Sequence, residues 1–359
     1  MVEIHGMCED RFGEVRELLA ACLAKDDVGA SVAVYLDGEP VVDIWGGHAD
    51  ASRTAPWERD TITNVWSTTK PMTALCALIL ADRGELDLGA PVAAYWPEFA
   101  AAGKEGVLVR HLLAHTAGLP IWDEPMTVEE LYDWPLATTR LAAQAPLWEP
   151  GTEAGYHAIT QGFLVGEVVR RVTGRSLGAF FAEEVAGPLG ADFHIGLPAE
   201  HDPRVAPVIP PLTPFVPPSD LRANPVVRPE DVNTTGWRHA EIPAANGHGN
   251  ARSVALVQSV LACGGTLRGV RLLSEAGCAR AVEEQYLGLD RALGTRMRYG
   301  MGYGLLQPRT CFWGGMGGSL VVIDLDARMT VAYVMNQMHA AVDDRGMNFV
   351  LAAYGGLSS

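Results

Sequence analysis

Ser67 and Lys70 stand three residues apart in the stretch Asn64-Val65-Trp66-Ser67-Thr68-Thr69-Lys70-Pro71. On a helix that spacing places both side chains on one face, one turn apart. A serine hydroxyl is a weak nucleophile until a neighbouring base takes its proton. A lysine held in an apolar site can lose its charge and help as that base. The N–H groups left free at a helix start also favour developing negative charge. Taken alone, Ser-x-x-Lys equally describes an N-cap serine beside a solvated lysine. Two other sets compete for attention. Gly174-Arg175-Ser176-Leu177-Gly178 has the Gly-x-Ser-x-Gly form of a nucleophile elbow, which works only between a strand and a helix. The residues before it, Glu167 to Thr173, read as helix, so Ser176 is expected to cap the next helix, Leu177 to Val185. His111 and His115 lie at i, i+4, a spacing that can hold a metal. With no Glu after His111 and no third ligand, hydrogen-bonded packing is the expected role, and no metal or cofactor is expected.

The elements that must position Ser67 follow from periodicity and turn chemistry. Ala74, Leu75, Leu78 and Ile79 recur at helical spacing after Ser67, and Arg83-Gly84 stops the pattern. Pro71 fits only in the first turn, where its missing N–H costs nothing. Upstream, residues 9–25 form an amphipathic helix with Val15, Leu18, Leu19, Cys22 and Leu23 on one stripe. The runs 31–35 and 41–45 flank Asp37-Gly38, a hairpin signal. Downstream, a short helix closes at Gly118, residues 127–145 are helical, and a helix from about 158 to 172 stops at Gly174. Residues 203–229 hold nine prolines, which exclude regular helix or central strand and suggest an ordered binding loop. Phe215 and Trp237 suit a substrate wall there. Helices are expected at 253–263 and about 274–286. Strands follow at 303–307, 311–313, 319–324 and 330–335, then a last helix at about 344–355.

Strands at both ends and helices between them point to an α+β fold, with one antiparallel sheet built from both ends of the chain. The expected division is an α/β subdomain from 1–66 and 290–359 and a mostly helical subdomain from 67–289, with the site between them. The chain has 359 residues, is 48% hydrophobic and carries a formal net charge of −16. That length allows a large core, and the acidic balance argues against nucleic acid or an anionic membrane as partner. No apolar run is long enough to span a bilayer. The first ten residues lack the basic and apolar regions of an export signal, and the six cysteines are scattered. Reduced thiols and a cytoplasmic location are the expectation. Oligomeric state is open.

Three stretches in order carry a family resemblance: Ser67-Thr-Thr-Lys70; Tyr156-His157-Ala158, after Trp148-Glu-Pro-Gly-Thr152; and Trp313-Gly314-Gly315-Met316-Gly317-Gly318-Ser319. Together they resemble the serine β-lactamase and penicillin-binding superfamily, class C-like branch, and within it the family VIII carboxylesterases and related transesterases. His111-Leu-Leu-Ala-His-Thr-Ala-Gly-Leu119 and Asn246-Gly-His-Gly249 fit the same family. The resemblance spans nearly the whole chain. It implies a β-lactamase/transpeptidase-like fold and an acyl-enzyme on Ser67, with Lys70 and Tyr156 sharing the proton. It also implies an oxyanion held by the backbone N–H groups of Ser67 and Met316. Trp313, Gly314, Gly315 and His157 would then lie at a small-molecule ester or acyl substrate, with Trp313 walling the pocket. β-Lactamases usually have Tyr-x-Asn and Lys-Thr-Gly where this chain has Ala158 and Trp313-Gly314-Gly315. Those changes remove polar partners for a lactam's amide and carboxylate, so esters are the expected substrates. Acyl transfer through the same intermediate and weak β-lactamase or D-amino-peptidase activity are the alternatives. A non-catalytic scaffold would be marked by a broken Ser-Lys-Tyr set.

Overall fold

The structure, a computed structural model, describes residues 2–213, 223–340 and 343–357. Its centre is a nine-stranded antiparallel sheet. The strands run in the order Ile4–Cys8, Glu39–Gly47, Gly29–Leu36, Met329–Met335, Leu320–Asp324, Thr310–Gly314, Gly304–Gln307, Arg296–Tyr299, Tyr286–Leu289. The hairpin at Asp37-Gly38 forms because both residues take positive φ, +52° and +83°, as the tightest right-twisting turns require. The two ends of the chain meet where Met329–Met335 pairs with Gly29–Leu36, Ala332 opposite Ala33. Met329–Met335 is buried throughout, and Gly29–Leu36 at every position but the last. Their Val- and Ala-rich runs are those of strands covered on both faces.

Helices Gly13–Lys25 and Arg345–Leu357 pack on one face of this sheet around Phe12, Leu19, Ile44 and Phe349. The other face is covered by Ala251–Ala262, which crosses the central strands. Beyond it lies the larger core, which surrounds the helix Lys70–Asp82, buried at every position except its last. An apolar helix all round is what a core position demands. Among the described residues, no helix is long and apolar enough to cross a membrane.

Several elements differ from expectation. Ile4–Cys8, Tyr286–Leu289 and Arg296–Tyr299 are strands. The helix expected to reach 286 spans only Glu275–Ala281. Ser176 caps Leu177–Phe181 as expected, accepting from Ala179 N at 3.2 Å. Its hydroxyl donates to Glu241 Oε1 at 2.6 Å. His111 and His115 each spend a ring nitrogen on backbone: Leu108 N donates to His111 Nδ1 and His157 N to His115 Nδ1, both at 3.2 Å. Phe215 lies outside the described residues.

Candidate active site

Ser67 opens a 3₁₀ turn, Ser67–Thr69, that runs directly into the helix Lys70–Asp82, with Pro71 in its first turn. The residue before it is strained. Trp66 holds φ +50° and ψ −133°, a conformation that costs a bulky residue about 1–3 kcal/mol and persists only when its surroundings impose it. They do so here. Val65 N donates to Gly247 O at 2.9 Å, and Thr69 N and Oγ1 both donate to Trp66 O. Gly247 N in turn donates to Thr69 Oγ1 at 2.8 Å. The Asn246-Gly-His-Gly segment is thus the brace that presents Ser67.

Lys70 is fully buried, yet no carboxylate faces it among the described residues. Its Nζ lies 2.7 Å from Ala158 O, 3.0 Å from Ala244 O and 3.2 Å from Ser67 Oγ. Burial alone drives its pKa well below the ordinary lysine value, because an unpaired buried cation is costly. A neutral amine has two hydrogens and one lone pair. In that form the two carbonyls would take the hydrogens and leave the lone pair for the Ser67 hydroxyl.

Tyr156 Oη donates to Ser67 Oγ at 2.6 Å, and Lys70 Nζ sits 4.6 Å from the centre of the phenol ring. Burial pushes the Tyr156 pKa up to about 12, while hydrogen bonding to Ser67 and Trp313 pulls it back. Burial thus shifts both groups toward their neutral forms, an amine and a phenol that share one serine.

Trp313, next to last in its strand, sets its indole against Tyr156 and His115, at 5.8 and 5.3 Å between ring centres. The turn after it is tied to the Ser67 loop: Ser319 Oγ donates to Val65 O at 2.9 Å, and Thr68 Oγ1 to Ser319 Oγ at 2.9 Å. From below, buried Arg345 pairs with buried Asp27 and donates to Gly317 O at 2.8 Å. Among the described residues, neither Ser67 N–H nor Met316 N–H is given to an acceptor. Two free N–H groups on loops stitched together are a ready place for an oxyanion. Gly315 is required by the stitching, since a Cβ there would be driven into Val65 O and Ser319 Oγ. Gly315→Ala is expected to pry the two loops apart. Because small misplacements at a site cost about 100-fold, kcat should fall by that order while circular dichroism stays native.

Two residues expected at the substrate are not brought there with free groups. Trp237 is fully buried in the helical core, its indole N–H on Asn64 Oδ1 at 3.0 Å. His157 is also fully buried; its Nε2 accepts from Leu119 N at 3.1 Å and its Nδ1 faces Gly155 O. Burial holds its pKa down at about 3, so it is a neutral brace for the Tyr156 segment. Ala158 is exposed and Gly314 is exposed, which leaves the surface beside Ser67 without a polar side chain at either position. Asp290, which no local pattern singles out, lies against this site, its Oδ1 accepting from Tyr156 N at 3.1 Å.

The family model for "Beta-lactamase" matches residues 15–355. The chain is 35% identical to "Esterase/beta-lactamase LipL" of Mycobacterium tuberculosis over 366 residues, covering 93% of this chain and 83% of that protein. It superposes on the crystal structure of a family VIII carboxylesterase with TM-score 0.94 and 44% identity, covering 99% of this chain and 100% of the other. A penicillin-binding protein homolog from Caulobacter crescentus matches with TM-score 0.90 and 36% identity, over 99% and 100% of the two chains.

Proposed function

The chain belongs to the Beta-lactamase family, and on that premise we propose that it is a serine carboxylesterase working through an acyl-enzyme on Ser67. The observation that carries the reading is the Ser67–Lys70–Tyr156 set, with Lys70 Nζ held by two carbonyls so that its lone pair is left for the serine. Ser67 Oγ attacks the ester carbonyl and its proton passes to Lys70. The carbonyl oxygen, now an oxyanion, is received by the N–H groups of Ser67 and Met316. Tyr156 gives a proton to the departing alcohol as the ester C–O bond breaks. Water then enters, loses its proton to the same pair, and attacks the acyl carbon. The carboxylic acid leaves and Ser67 is regenerated.

Two supports favour esters over lactams. The structural relative at 44% identity is a carboxylesterase. The site also has Ala158, Trp313 and Gly314 where an amide- and carboxylate-binding site would need polar groups, and such a site gives a charged lactam nothing to pair with. The proposed division into an α/β part and a mostly helical part has its second boundary before Tyr286, because Tyr286–Leu289 joins the sheet, and Trp313 and Gly314 are proposed to line the substrate. The six scattered cysteines, all free in the structure, support a cytoplasmic setting.

The test compares p-nitrophenyl butyrate with nitrocefin, with intact mass recorded during turnover. Butyrate ester turnover should exceed nitrocefin turnover by about 100-fold or more in kcat/KM, and a butyryl increment should appear on the protein. Faster nitrocefin hydrolysis would overturn the substrate assignment.

A further inference from the structure

Tyr156 does not sit on a helix or strand. The helix that follows begins at Thr160, so the backbone of 154–159 has no regular ladder to fix it. Three successive N–H groups are instead held from distant parts of the chain. Gly155 N donates to His115 O at 3.1 Å, Tyr156 N to Asp290 Oδ1 at 3.1 Å, and His157 N to His115 Nδ1 at 3.2 Å. The middle one, on the tyrosine itself, is held by a side chain.

Asp290 is fully buried. Its Oδ1 also accepts from Ala292 N and Leu293 N, both at 2.8 Å. Its Oδ2 accepts from Tyr299 Oη at 2.8 Å. The neighbouring Arg291 N donates to Ala154 O at 2.9 Å, while the Arg291 side chain turns outward to Glu153. The carboxylate is thus satisfied by four neutral donors and not by a cation. A buried charge kept in this way is expensive unless its hydrogen bonds hold something in place. Tyr299 shows what else it holds. The Tyr299 ring stacks on Trp313 at 6.1 Å and packs against His115 at 5.1 Å. Trp313 and His115 are the two rings that flank the Tyr156 phenol. One carboxylate therefore fixes the tyrosine's backbone through one oxygen and its aromatic wall through the other.

We propose that Asp290 is a positioning residue for ester cleavage: it aims the Tyr156 phenol at the alcohol that leaves the tetrahedral intermediate as the acyl-serine forms. This rests on the reading of Tyr156 as the donor to that alcohol. A misplaced donor matters only when the leaving group needs a proton. An alkoxide is a poor leaving group and must be protonated, whereas p-nitrophenolate departs unaided. General loss of folded protein lowers both rates together. A lost donor lowers only the first.

The experiment measures kcat/KM, which reports the acylation half, for ethyl butyrate and p-nitrophenyl butyrate on the full chain. In Asp290→Ala the ratio of p-nitrophenyl to ethyl ester should rise by about 10-fold or more, within the range a positioned proton donor supplies. Asp290→Asn should return most of that change, because its amide oxygen can still accept from Tyr156 N. Tyr299→Phe, which removes only the Oδ2 bond, should move the ratio in the same direction by about threefold and serves if Asp290→Ala does not fold. An unchanged ratio in Asp290→Ala, or in Tyr299→Phe where the former is unfolded, overturns the proposal. Tyr156→Phe is the control on the underlying reading. If it leaves the ratio unchanged, Tyr156 is not the donor and the proposal falls with it. If it raises the ratio while the Asp290 variants do not, only the role of Asp290 is lost.

Discussion

Ser67→Ala is expected to abolish ester turnover, lowering kcat by at least about 10⁴-fold, the scale on which a serine enzyme's nucleophile acts. It should also abolish covalent labelling by a fluorophosphonate, read as intact mass. The substitution removes one oxygen that accepts from Tyr156 and faces Lys70, and it leaves the backbone brace of Trp66 and Gly247 untouched. The protein should therefore stay folded, so that lost activity means lost chemistry. Ser176→Ala is the matched control. Ser176 is an N-cap bound to Ala179 N and Glu241, and removing a cap costs about 1 kcal/mol. Its variant should show a lower Tm with labelling and turnover nearly intact. The opposite pattern, labelling lost at 176 and kept at 67, would place the nucleophile at the other serine.

Lys70→Met is expected to lower kcat/KM for esters by about 10³- to 10⁴-fold, the upper part of what a general base contributes. The pH profile carries a sharper expectation. Burial holds the lysine's pKa well below its ordinary value, so the protonated, inactive form appears only on the acid side. In the wild type, kcat/KM should rise with pH through that depressed pKa and then level off. In Lys70→Met the residual activity should lose this acid limb. A wild-type profile that instead rose only near the ordinary lysine range would mean that Lys70 stays charged, and the assignment of the base would move to Tyr156. Lys70→Arg separates charge from basicity: it keeps a cation and donors but cannot become neutral, and it should stay inactive across the same range.

The chemistry was more legible in the chain than the scaffold around it. Ser67 and Lys70 declare themselves because both are local to one helix start, and the Asp37-Gly38 hairpin because its turn needs two positive φ values. Tyr156 and Met316 stand out only through the family resemblance, since an irregular segment and a glycine-rich turn have no period. The strands Ile4–Cys8, Tyr286–Leu289 and Arg296–Tyr299 escaped notice for a physical reason. They are short, lie in the outer reaches of the sheet, and owe their conformation to the partner they pair with. Trp237 illustrates the opposite error. An aromatic near a proline-rich segment suggests a substrate wall, but the indole is spent on Asn64 in the core. Asp290 gave no signal at all, because what it does depends on residues 134 positions away.

The seam between Gly29–Leu36 and Met329–Met335 joins residues about 300 apart, and this governs how the molecule comes into being. Until the last tenth of the chain leaves the ribosome, the first hairpin has an apolar strand with one unpaired edge. At about 5–20 residues per second that wait lasts tens of seconds, long enough for an open edge to pair with a neighbouring chain. So non-local a closure also slows the search itself. Chains that end before residue 329 would keep the edge open permanently, and aggregation during synthesis would then limit yield however well the catalytic serine is placed.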